Sequence, residues 1–151
     1  MRDGVYLGCR LRVEIEIESR GQWMWTWAEY DNMTIESESN NYRLHVTGYH
    51  GNAGDAFNLD EDKFRSNGMM FSSPEVDNDM SVKENCALNK AAGWWFRMCS
   101  KSILNGRLSR WYPYPPSAVG ASRMMLQCDA VASGDESLTE RETSWNDPNM
   151  P

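Results

Sequence analysis

The sequence predicts an α+β domain built mainly on antiparallel sheet, rich in turns and poor in helix. Three observations carry that reading. "LRVEIEIE" alternates Leu11, Val13, Ile15 and Ile17 with Arg12, Glu14, Glu16 and Glu18, the period of a strand with one buried face. Two later segments repeat the period: Trp23, Trp25 and Trp27 share one face of "WMWTWAEY", and "YRLHVTGY" sets Tyr42, Leu44 and Val46 against Arg43, His45 and Thr47. Seven tryptophans, six tyrosines and eleven glycines suit pleated surfaces and turns better than a helical bundle.

Short connections between the three strands imply antiparallel pairing, with Asp31-Asn32 as the turn between the second and third. After Tyr49 the pattern gives way to the loops "HGNAGDAFNLDEDKF" and "SNGMMFSSPEVDND", in which Asn67-Gly68 has the chemistry of a tight turn. From Gly134 the chain is Ser, Glu, Asp and Pro with few apolar residues, so a disordered tail is expected there.

At 151 residues and 40% hydrophobic content the chain is one domain with a core of its own. Its net charge of −7 is uneven. Residues 129–151 hold six acids against Arg141 alone, while residues 1–128 carry 16 acids against 14 bases. No Lys/Arg cluster offers the footprint a phosphate backbone needs, which excludes nucleic acid as a partner. No apolar run approaches the roughly 20 residues of a membrane span, and "MRDGVYLGCR" lacks the apolar centre of a secretory signal.

The stretch from Pro74 to Cys99 has neither period and concentrates chemistry instead. Asp77 and Asp79, flanking Asn78 and preceded by Glu75, can turn hard oxygens toward one calcium ion, or simply form a solvated acidic turn. An EF-hand is excluded. Begun at Glu75, its glycine position holds Met80 and its bidentate glutamate position Cys86; begun at Asp77, the same positions hold Val82 and Leu88. Cys9, Cys86, Cys99 and Cys128 form no C-x-x-C pair and only His45 and His50 accompany them, so zinc lacks a ligand set. Cys86 and Cys99 are either two buried thiols or a bridge closing a short loop, worth about 3 kcal/mol in the chain-entropy picture. Trp94-Trp95 reads as packing, Asp60-Glu61-Asp62 as a solvated turn, and both histidines as solvated or hydrogen-bonded. No Ser/His/Asp set, Cys/His set or carboxylate pair across a cleft is suggested, so catalysis is not expected.

Gly54-Asp55-Ala56, Asn67-Gly68-Met69-x-Phe71-Ser72, Asp77-Asn78-Asp79, Asn85-Cys86-Ala87, Gly93-Trp94-Trp95, Cys99 and Leu104-Asn105-Gly106 occur in an order that closely resembles the fibrinogen-related domain. This is the C-terminal globe shared by fibrinogen chains, ficolins, tachylectins, tenascins and angiopoietins. The resemblance runs over residues 11–106, and implies a twisted antiparallel sheet with short helices and a loop-rich calcium and ligand subdomain, truncated relative to the usual globe. It implies calcium held by Asp77 and Asp79, with carbonyls near Ser81 and Lys83 and water completing the shell. It also implies a Cys86–Cys99 bridge and a Met98–Cys99 peptide, cis in many members, whose amide hydrogens face an acetyl group or similar ligand. Asn89, Met98, Cys99 and Ser100 would line that pocket.

The departures are specific. The spacing from Asp79 to Cys86 is one residue longer than in most members, and Ser100 stands where histidine is frequent. Asn89-Lys90 replaces an amide followed by an acid, so Lys90 would repel the N-terminal ammonium of a fibrin-knob-like peptide. The N-terminal subdomain is missing upstream of Leu11. "WYPYPPSAVGASRMMLQ" resembles a compressed closing strand centred on Ser122–Gln127. Cys9 and Cys128 match no family cysteine and are left unpaired. The expected organisation is therefore residues 1–10 outside the family, 11–127 a partial globe, and 128–151 an acidic tail.

The favoured expectation is a secreted, extracellular module stabilised by Ca2+, binding acetylated glycans in a lectin-like, innate-immune role. The sequon Asn32-Met33-Thr34 supplies a glycosylation site consistent with that setting. A matrix or receptor-binding adhesion module is the alternative, and a truncated product without binding function the third. Oligomerisation would require segments not present in this sequence.

Overall fold

The computed structural model describes residues 8–128; the tail expectation for residues from Gly134 falls outside them. Strands β1 (Cys9–Ser19), β2 (Gln22–Ile35), β3 (Leu44–Gly51) and β6 (Val119–Cys128) form an antiparallel sheet ordered β3-β2-β1-β6. Two short strands, β4 (Ser102–Ile103) and β5 (Arg110–Trp111), make a separate ribbon. The α-helix α1 spans five residues, Cys86–Lys90. The fold is thus the expected antiparallel sheet with little helix.

β1 and β2 are joined by a two-residue hairpin in which Arg20 and Gly21 both take positive φ, 53° and 79°, the conformation whose twist matches the flanking strands. Leu11, Val13 and Ile15 on β1 are fully buried, and Ala28 and Tyr30 on β2 continue that face. The three tryptophans do share a face, but it is the charged one: Trp23, Trp25 and Trp27 stand opposite Glu18, Glu16 and Glu14. Arg123 lies over the Trp25 ring and Arg12 over Trp27, which lets flat rings remain on a solvated face.

Two expectations for this region need correction. Asp31-Asn32 is not a turn. β2 uses three residues from Tyr30 to Met33 where β1 uses two from Leu11 to Cys9, so the polar pair forms a bulge inside a continuing strand. Tyr42 is not part of β3. It sits in left-handed conformation (φ 52°) after Asn41 (φ 51°), and the connection is made by a single 3-10 turn at Glu38–Asn40.

β6 pairs with β1 from Cys9↔Cys128 to Ile17↔Val119, so the segment resembling a closing strand does close the sheet. Cys9 and Cys128, which match no family cysteine, are joined by a disulfide across directly opposed positions, with Cα atoms 4.2 Å apart and a sequence separation of 119. The pairing depends on strand order and register, which spacing cannot reveal. The sheet accordingly begins at Cys9 and ends at Cys128, just outside the expected 11–127 boundaries.

The buried face of the sheet is covered by the loop-rich remainder, residues 52–118. Phe57 is the joint. Its ring meets Tyr30 of the sheet at 5.4 Å, Trp111 at 5.4 Å edge-on, and Trp94 in a stack at 5.9 Å. The Asn67-Gly68 turn forms as expected, with Gly68 at φ 83° and Met69 N–H bonded to the Ser66 carbonyl. Asn67 uses its amide as a false backbone, accepting from Val46 N–H and donating to Val46 O, each at 2.9 Å.

Candidate functional site

The Asp77-Asn78-Asp79 loop is fixed through its middle residue. Asn78 donates its backbone N–H to the Ser72 hydroxyl at 3.0 Å and its side-chain amide to the Phe71 carbonyl at 2.8 Å. Ser72 exchanges two backbone bonds with Trp94, so Gly93-Trp94-Trp95 carries the loop from below as packing. Asp79 is clamped at both oxygens: Oδ1 accepts from Ser81 N–H at 2.7 Å and Oδ2 from Cys86 N–H at 2.8 Å. Asp77 Oδ1 accepts from Asp79 N–H at 3.2 Å. The Ser81 hydroxyl accepts from the N–H groups of Lys83 and Glu84, which places Ser81 and Lys83, the expected carbonyl donors, on one tight turn.

Burial raises the Asp79 carboxyl pKa, the bonds from Cys86 and Ser81 pull it back, and the neighbouring Asp77 carboxylate raises it further; the net position is above the ordinary range. Two carboxylates held this close fit a hard divalent cation, which would relieve their repulsion. Among the described residues no set of three or more His, Cys, Asp or Glu side chains converges on a metal position. A calcium ion here would therefore take its remaining oxygens from carbonyls and water.

The loop is tied to the segment beyond it. Cys86, the first residue of α1, is bridged to Cys99. Asn85 caps the helix by accepting Leu88 N–H at 2.8 Å, and Ala91 ends it in left-handed conformation. Met80 N–H donates to Arg97 O at 2.7 Å. The Met98–Cys99 peptide is cis.

The four residues expected to line a ligand pocket are differently employed. Met98 is exposed at its side chain, but its N–H donates to Lys63 O at 3.0 Å. Cys99 is buried in the bridge and its carbonyl accepts from Arg97 N–H. Ser100 turns inward, where its hydroxyl meets those of Ser66 at 2.8 Å and Ser102 at 3.1 Å, all three buried. Asn89, at the end of α1, donates its amide to Glu84 at 2.7 Å. The Ser100 hydroxyl is thus turned away from solvent, whereas Asn89 is exposed and uses one of its amide hydrogens on Glu84.

Sequence reasoning missed a cleft of ≈ 470 Å³ whose lining includes Asp55, Asn58, Glu61, Lys101, Tyr112 and Pro113. The Asp60-Glu61-Asp62 run is more than a solvated turn: Glu61 pairs with Lys101 at 2.5 Å and Asp62 with Arg97 at 2.7 Å. Lys101 also lies over the Phe64 ring at 4.7 Å and the Tyr112 ring at 5.1 Å, forming one wall. Gly54 and Asp55 of the Gly54-Asp55-Ala56 motif also line it. Trp111 Nε1 donates to Gly54 O at 3.0 Å, and the Tyr30 hydroxyl donates to Asp55 at 2.8 Å. Burial and the Asp55 charge together push the Tyr30 phenol far above its ordinary pKa, so it remains a donor at any physiological pH. The sequence signals at this cleft are the acidic run and the Gly54-Asp55-Ala56 motif; Lys101 and Tyr112 reach it from 40 and more positions beyond Glu61.

Comparison with known proteins places these features in a family. The family described as fibrinogen beta and gamma chains, C-terminal globular domain, matches residues 7–116. Protein scabrous of Drosophila melanogaster is 38% identical over 118 residues, 70% of this chain and 14% of its own length. Human angiopoietin-related protein 6 is 43% identical over 79 residues, 52% of this chain and 15% of its own length. The solved fibrinogen-like globe of human ANGPTL6 superposes with a TM-score of 0.64 at 27% identity, covering 82% of this chain and 58% of that globe. The chain thus spans under a fifth of these two curated relatives and somewhat over half of the solved globe. With the family's order of motifs, its bridged Cys86–Cys99 loop and its sheet all present, this chain belongs to the fibrinogen C-terminal globular domain family.

Proposed function

We propose that the chain is an extracellular recognition module, stabilised by calcium at Asp77 and Asp79, that binds acetylated ligands such as N-acetylated glycans in a lectin-like, innate-immune role. One observation carries the reading: the Asp77–Asp79 loop is mechanically joined to the Cys86–Cys99 bridge and the segment leading into it, through the Asp79–Cys86 and Met80–Arg97 bonds. A cation would neutralise the carboxylate pair and hold the loop against the bridge, a supporting and not a catalytic task. Two disulfides among four cysteines suit an oxidising compartment, and Asn32, exposed on the β2 bulge, is where an N-linked glycan would attach. Lys90 at the end of α1 favours a neutral or anionic ligand over an ammonium.

The second reading, a matrix or receptor-binding adhesion module, is favoured by the inward-facing Ser100, whose hydroxyl is spent on Ser66 and Ser102 and not on a sugar. Binding of the oxidised chain to immobilised N-acetylated and non-acetylated glycans, in calcium and in chelator, separates the two. Calcium-dependent selectivity for the acetylated set, lost in Asp77→Asn/Asp79→Asn, supports the first. Binding to an extracellular protein that N-acetyl sugars fail to inhibit supports the second.

A further inference from the structure

Two hollows meet at a shared wall. The cleft of ≈ 470 Å³ has Lys101 and Tyr112 in common with a smaller hollow of ≈ 190 Å³, lined by Lys101, Arg110, Tyr112, Tyr114 and Pro116. An ammonium, a guanidinium and two phenols line the smaller one, every one able to donate, and no carboxylate joins them. Its frame is fixed by described residues: Trp111 is fully buried, Tyr112 N–H donates to Lys101 O at 3.1 Å, and Tyr114 N–H donates to Trp111 O at 2.8 Å.

Arg110 is the unbalanced member. Among the described residues Arg20, Arg107 and Arg110 have no ion pair; the first two are exposed, whereas Arg110 is half-buried in this hollow. Lys101 gives one donor to Glu61 and keeps two. The larger cleft has the opposite character. Asp55 and Asn58 are already bonded to each other, but Glu61 is partly exposed and Asp60 has no ion pair among the described residues. The Tyr112 ring, which belongs to both hollows, is 47% exposed.

We propose that the two hollows together bind a sugar bearing one carboxylate, a uronic acid residue, with the carboxylate on Arg110 and Lys101, the ring against Tyr112, and hydroxyls donating to Asp60 and Glu61. A planar carboxylate matches the guanidinium fork in two parallel bonds. The rest of the ligand must be neutral and rich in hydroxyls, because the acidic cleft repels a second anion and accepts hydrogen bonds. A polysulfated chain is disfavoured on the same ground. The site shares no residue with Asp77, Asp79 or the Cys86–Cys99 bridge, and it requires neither calcium nor an acetyl group.

Titration of the oxidised full chain with methyl β-glucuronide, followed by amide chemical shifts, tests it, with methyl β-glucoside as the neutral counterpart. The glucuronide should shift amides around Glu61, Lys101, Arg110 and Tyr112 and bind about tenfold or more tighter than the glucoside, equally in calcium and in chelator. Arg110→Gln should weaken glucuronide about tenfold or more, and Arg110→Lys, which keeps the charge and loses the fork, should weaken it less. The circular-dichroism spectra of both variants should be unchanged, because no ion pair is lost. Equal binding of glucuronide and glucoside, or an Arg110→Gln variant that binds glucuronide as the wild type does, would overturn the proposal. So would the absence of any saturable shift, or shifts that need calcium and are confined to residues 77–99.

Discussion

Glu14 in the sheet and Asp79 in the loop half are both carboxylates drawn out of water, and their surroundings differ. Burial opposes ionisation of Glu14, but hydrogen bonds and charge from Arg12 and Arg123 outweigh it and leave its pKa below the ordinary value. Asp79 is shielded beside another carboxylate, and only backbone N–H groups answer it. The sheet therefore settles its charges internally along one face, whereas the loop half leaves a deficit that a cation can fill. Order in the first comes from period-2 burial; in the second it comes from staples, caps and single hydrogen bonds.

The two disulfides divide along the same line and give the largest tests. Cys9→Ser/Cys128→Ser removes a link across 119 residues and should cost about 4–5 kcal/mol in the chain-entropy picture. Cys86→Ser/Cys99→Ser opens a 13-residue separation and should cost about 3 kcal/mol, with its damage confined to the loop half. Denaturant midpoints followed by backbone dichroism and by tryptophan emission would rank the two. Equal costs would mean that the loop half constrains the chain as much as the sheet does.

Phe57→Ala probes the joint between the regions. Losing a fully buried ring that touches Tyr30, Trp94 and Trp111 should cost about 3–5 kcal/mol and keep one cooperative transition. Two separated transitions would show that sheet and loop half fold independently.

Glu14→Gln should cost about 1–2 kcal/mol at neutral pH by weakening bonds to two guanidinium groups. Because the folded pKa of Glu14 is lowered, its contribution is present above the unfolded value and is lost as pH falls through the folded one. The gap between wild type and variant should accordingly close in acid. A gap that persists there would assign the effect to packing and not to charge.

Legibility follows the same division. The alternation of Leu11 to Ile17 and of Leu44 and Val46 is enough to place β1 and β3, because a buried face imposes period 2 on sequence, while β2 is marked by the period of Trp23, Trp25 and Trp27 on its charged face. The bulge at Asp31-Asn32 carries the residues of a turn, and only the register of β1 against β2 distinguishes the two. The Cys9–Cys128 bridge was illegible for a related reason, since it needs β6 to lie beside β1. In the loop half, the Asp77-Asn78-Asp79 triplet is legible as an acidic turn, and Asn85 only as part of a family motif; the Asp77 bond to Asp79 N–H and the Asn85 cap on α1 come from the structure. Ser100 did not, because its partners Ser66 and Ser102 form a buried hydroxyl cluster that no periodicity marks.

Hydrogen exchange of the oxidised chain with and without millimolar calcium, alongside Asp77→Asn/Asp79→Asn, tests the central contrast most directly. At 100-fold excess over its dissociation constant calcium should stabilise the native state by about 2.7 kcal/mol. Exchange should slow from Asp77 to Cys99 with β1, β2 and β6 little changed, with no response in the double variant, and the response should fade in acid, where protons compete with the cation for the Asp79 carboxylate. Without calcium the raised pKa of Asp79 works in the opposite sense, its neutral form being favoured in acid and that contribution lost as pH rises through the folded value. Exchange indifferent to calcium across residues 77–99, or an equal response in the double variant, would contradict the account.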